Sequence, residues 1–119
     1  MCLKSRNAVG SILALLVAAV PISSAHSETT YVHAGDLNRL CTADSDINKS
    51  WCEGFISGEL EIISNAPVQG IAACVPPLTT LPKGVAIAKK WLVDHPEKSA
   101  LAASLAVAQA LSEAFPCKK

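Results

Sequence analysis

Aromatic residues are scarce: two Trp, two Phe and one Tyr make up 4% of the 119 residues. No basic patch accompanies them, and ten acidic side chains match ten basic ones. A nucleic-acid surface needs clustered cations and stacking rings, so that class is excluded. No stretch alternates apolar and polar residues over the length of a strand, which points to an all-α fold. No glycine-rich phosphate loop occurs, and there is no Cys-x-x-Cys, His-x-x-x-His or Cys-x-x-Cys-His. Zinc and haem sites therefore lack their ligand framework, and neither a metal nor a cofactor is expected.

Catalytic groupings are missing too. Beyond the N-terminal segment the histidines are His26 and His33, in a polar lead-in, and His95, which precedes Pro96 at a helix junction. Ser57 stands in Gly-Phe-Ile-Ser-Gly, but a nucleophile elbow needs Ser centred between the glycines on a strand-to-helix turn. Glu53, Glu59 and Glu61 read as solvated helix charges. The chain is read as a non-enzyme.

What is present begins with an address. Lys4 and Arg6 form a basic start, residues 8–20 are an apolar run, Pro21 follows, and Ser23-Ser24-Ala25 is a small-x-small cleavage site. This pattern is a secretory signal peptide over 1–25, too short for a comfortable membrane span. The expected mature chain, 26–119, is one small domain without a membrane segment. Without Lys4 and Arg6 it carries eight basic side chains against ten acidic ones.

Four cysteines remain in it: Cys41, Cys52, Cys74 and Cys117. An even number in a small exported domain reads as two disulfides. Four helices are expected around them. The first spans about 35–41, with Leu37, Leu40 and Cys41 on one face. A polar loop, 42–50, leads to a second helix over about 48–65. Gly54 and Gly58 lie one turn apart there, and since each costs about 1 kcal/mol against Ala, the pair predicts a closely crossing backbone. A loop over 68–77 carries Gly70, Cys74, Pro76 and Pro77. The third helix opens at Thr80-Leu81-Pro82, with Leu81, Val85, Ala88 and Leu92 facing inward. The last runs over 97–115, rich in Ala and Leu, and is expected to be the central helix, closed by Pro116 and tied by Cys117.

Four cysteines allow three pairings. The layout selects one. Helices one and two form a hairpin that sets Cys41 beside Cys52. Helices three and four form another, with Cys74 just before the first and Cys117 just after the second. The expected fold is thus a small all-α four-helix domain of two helical hairpins, stapled by Cys41–Cys52 and Cys74–Cys117.

The ordered set Gly35-Asp36-Leu37, Cys41, Cys52, Gly54-Phe55-Ile56, Gly58, Cys74, Pro76, Trp91-Leu92, His95-Pro96-Glu97 and Ala114-Phe115-Pro116-Cys117 resembles the Tai/Rap family. These are immunity proteins against type VI secretion amidase effectors, and the matches span nearly all of 26–119. The resemblance implies a periplasmic, all-helical, disulfide-bonded protein, often dimeric, that occludes the active-site cleft of a peptidoglycan amidase. The matching residues are mostly scaffold. An inhibitor of a cleft needs a protruding segment that is rigid before binding. Of the two connectors, 42–50 and 66–80, the second is favoured. Prolines and Cys74 stiffen it, and Val68, Gln69, Gly70 and Ile71 are left to make contacts. The alternative class is a small periplasmic stress protein of the acid-activated helical type.

Overall fold

The structure, a computed structural model, describes residues 31–119. The expected signal peptide and His26 lie outside the described residues. Four α-helices follow one another: α1 Ala34–Thr42, α2 Asp46–Asn65, α3 Leu81–Asp94 and α4 Ala103–Ala114. A single 3₁₀ turn, Pro96–Lys98, lies between α3 and α4. The described residues form no strands, so the all-α expectation holds.

Both expected disulfides are present. Cys41 at the end of α1 bonds Cys52 in α2, with Cα atoms 5.1 Å apart. Cys74 bonds Cys117 with Cα atoms 4.9 Å apart, and the Cys74 N–H donates to the Phe115 carbonyl at 2.8 Å. Each hairpin is therefore closed covalently, the first at its turn and the second at its open end.

The core gathers Leu37 from α1, Cys52 and Ile56 from α2, and Val107 and Leu111 from α4, all fully buried. α4 is the central helix. Six of its twelve residues are buried, four of them alanines, which let α1, α2 and α3 approach from several sides. A helix with so wide an apolar surface is stable only when enclosed.

Its start departs from expectation. Residues 97–102 are not the first turns of α4. The Ser99 and Leu101 carbonyls accept the N–H groups of Gly35 (3.0 Å) and Ala34 (2.8 Å), and Ala103 N–H donates to the Val32 carbonyl at 2.7 Å. In a continuous helix Ala103 N–H would bond Ser99 instead. Tertiary hydrogen bonds thus override the helix propensity of this stretch. Residues 32–34, expected to be part of a loose lead-in, are in fact pinned, with His33 and Ala102 forming an isolated bridge. A Cβ at Gly35 would lie 3.1 Å from the Ser99 Cβ, a tight contact that glycine avoids. The connector after α1 is also shorter than expected, since α2 begins at Asp46.

The glycine expectation is corrected as well. A Cβ added to Gly54 or Gly58 would meet nothing within 4 Å, so among the described residues no backbone crosses there. The close crossing falls at Gly84 of α3, where a Cβ would lie 2.5 Å from Cδ2 of the buried Leu60. Periodicity gives the spacing of residues on a helix but not which face meets a neighbour. Gly54→Ala and Gly58→Ala are each expected to stabilise the fold by about 1 kcal/mol through helix propensity. Gly84→Ala is expected to destabilise it by about 1 kcal/mol or more despite the same propensity gain, because the core is overfilled. Urea midpoints at low protein concentration measure all three, and equal shifts of one sign would refute the assignment.

Candidate partner-binding site

The connector between α2 and α3, residues 66–80, folds into a definite shape. Val68 and Ile71 exchange two backbone hydrogen bonds, each 2.9 Å. Gln69 and Gly70 between them have φ of 46° and 83°. Two central residues with positive φ define the mirror-image hairpin turn. Gly70 adopts this freely, whereas Gln69 is held in a conformation that costs an L-residue about 1 kcal/mol or more. Val68 and Ile71 are half-buried and pack on the core, while Gln69 and Gly70 are exposed. The four residues expected to bind a partner thus divide into two feet, Val68 and Ile71, and a two-residue tip.

The rest of the connector holds the turn in place. Ala73 is buried, and Cys74 is fixed by its disulfide and by the hydrogen bond to Phe115. Further along, Leu78 is 93% exposed, the most exposed of the large apolar side chains. Nothing in the composition of 66–80 separates Leu78 from its neighbours, and sequence reasoning missed it. The short connector after α1 offers less, because residues 46–50 of the expected loop are helical.

Among the described residues no group of three or more His, Cys, Asp or Glu is placed to hold a metal ion, and no helix is long and apolar enough to cross a membrane. His33 and His95 serve the scaffold. His33 opens α1 opposite Asp36, whose carboxylate accepts the His33 N–H at 3.3 Å. The ion pair with Arg39, reinforced by that N–H, holds the Asp36 carboxyl below its usual range. His95 stacks on Trp91 with ring centroids 4.2 Å apart, and its Nδ1 lies 2.9 Å from the Trp91 carbonyl. Of the α2 carboxylates, Glu59 is half-buried and its pKa is pushed up by desolvation. Ser57 sits within α2, not on a strand-to-helix turn.

These features define a small disulfide-stapled helical domain that presents a pre-formed turn. The family model of the Rap1a immunity proteins matches residues 33–117. The chain belongs to that family. Comparison with curated proteins gave no match, and comparison with solved structures gave none either. Several residues that carried the resemblance now have structural reasons: Gly35 for its approach to Ser99, Leu37 for the core, Trp91 and His95 for their stack, and the cysteines for the two staples.

Proposed function

We propose that this protein neutralises a peptidoglycan amidase effector by inserting the 66–80 connector into its active-site cleft, without catalysis of its own. Membership of the Rap1a immunity family implies a secreted effector as partner. The pre-formed turn at Val68–Ile71 is the observation that carries the reading of the surface. A segment held by hydrogen bonds, by its half-buried feet and by a disulfide loses little conformational entropy on binding. Leu78 supplies an exposed apolar anchor on the same connector. The setting is the periplasm, reached through cleavage of residues 1–25, where both disulfides are maintained. The working form is a homodimer. A neutral tip is also suited to a partner whose cleft binds uncharged amide groups.

The test leaves the feet of the turn intact, because they are part of the core. Gln69→Asp with Leu78→Asp changes the tip and the anchor, and Asp tolerates the left-handed conformation at position 69. Inhibition of a peptidoglycan amidase effector is expected to weaken at least about tenfold, or about 1.4 kcal/mol, with the helical spectrum unchanged. Undiminished inhibition by the folded variant would remove the connector from the interface. Failure of the wild-type protein to inhibit would overturn the functional reading itself.

A further inference from the structure

A groove of about 720 Å³ lies between α2 and α3, and its lining includes Glu53, Ser57, Leu81, Pro82, Val85 and Lys89. Ligand sites fall in the range of about 300–1,000 Å³, mostly apolar with a few convergent polar groups. The apolar part comes from the start of α3. Leu81 is half-exposed, Pro82 stands in the first turn and Val85 is buried.

Three polar groups meet in this setting, and among the described residues none has a side-chain partner. The Ser57 hydroxyl makes no hydrogen bond, whereas Ser64 on the same helix donates to the Leu60 carbonyl at 2.6 Å. Lys89 is half-buried and forms no ion pair, while its neighbour Lys90 pairs with Asp94. Glu53 forms none either. A half-buried ammonium loses part of its hydration, and here no opposite charge replaces it. The acid on the α2 wall and the base on the α3 wall share one groove but stand too far apart to pair with each other.

We propose that this groove binds a short peptide with both termini free. The peptide ammonium pairs with Glu53 and its carboxylate with Lys89. The Ser57 hydroxyl hydrogen-bonds a peptide group between them, and apolar side chains lie on Leu81, Pro82 and Val85. A ligand of one sign would leave one wall unpaired, so charge complementarity selects a zwitterion. The third polar group and the size of the groove favour a peptide over a single amino acid. This surface is distinct from the turn at Val68–Ile71, and the inference does not depend on the identity of the effector.

The tripeptide Ala-Leu-Ala serves as probe, titrated into the full mature chain with both disulfides formed and followed by amide chemical shifts. Saturable shifts are expected at Ser57, Val85 and Lys89. The N-acetylated and C-amidated forms of the peptide should each bind about threefold more weakly or worse, as loss of one exposed ion pair implies. Free leucine should bind more weakly than the tripeptide. Glu53→Gln should weaken the free tripeptide by a similar factor and leave the acetylated form unaffected. Lys89→Met should do the same with respect to the amidated form. Circular dichroism checks that both variants are folded. Absence of saturable shifts, or shifts confined to other surfaces, would overturn the site. Equal affinity for the free and blocked peptides, or for both variants and the wild type, would overturn recognition through the two charges. Leucine binding as tightly as the tripeptide would overturn the assignment to a peptide.

Discussion

Replacing Cys74 and Cys117 together by alanine is expected to lower the unfolding free energy by about 4 kcal/mol. The bond closes a loop between residues 43 apart in sequence, against 11 for Cys41–Cys52. Loop-closure entropy gives the shorter bond about 3 kcal/mol, so the pair containing Cys117 matters more. The local structure adds to the difference. Cys117 lies beyond the end of α4, and its bond to Cys74 also fixes the connector that carries the turn. Domains of this size have a total stability of about 5–15 kcal/mol, so the loss is a large share of it. Urea denaturation of the two double-alanine variants gives both values. A larger loss from the Cys41/Cys52 variant would show that the packing of these two buried side chains outweighs chain entropy here.

Trp91→Ala is expected to cost a comparable amount, about 3–5 kcal/mol, by opening a cavity between α3 and α4. Trp91 is 7% exposed, one of the few large rings in a chain with little aromatic surface. Its indole N–H donates to Glu113 Oε2 at 2.9 Å, joining α3 to α4 across the core edge. Its other contact, the stack on His95, orders the exit from α3 just before the 3₁₀ turn. Trp91→Phe retains most of the volume and loses the hydrogen bond, for which about 1 kcal/mol is expected. Comparable losses from both variants would mean that the bond to Glu113, and not packing, dominates at this position.

The architecture was legible because its determinants are local. Helix periodicity, Pro82 near the start of α3 and four cysteines were enough to place two hairpins and both disulfides. The errors share one cause. An Ala-rich stretch at 97–102 has good helix propensity, but its carbonyls are taken by residues 34 and 35, far away in sequence. Gly54, Gly58 and Gly84 are alike as residue types, and only the packed structure shows that Leu60 faces the last of them. At the candidate site, Gly70 and the prolines marked an ordered loop, but the left-handed Gln69 and the exposure of Leu78 come from the path of the backbone.

The pairing of residues 32–35 with 99–103 has a consequence for how the molecule comes into being. A polypeptide delivered end-first through a narrow channel presents residue 32 early and residue 103 late. Val32 and Ala34 must wait for almost all of the described chain before their backbone partners arrive, and Cys74 waits for Cys117, two residues from the end. The hairpin of α1 and α2 needs no such wait, since Cys41 and Cys52 are only 11 residues apart. Final closure therefore waits for the last residues, and a chain interrupted before α4 lacks the partners of Val32 and Cys74.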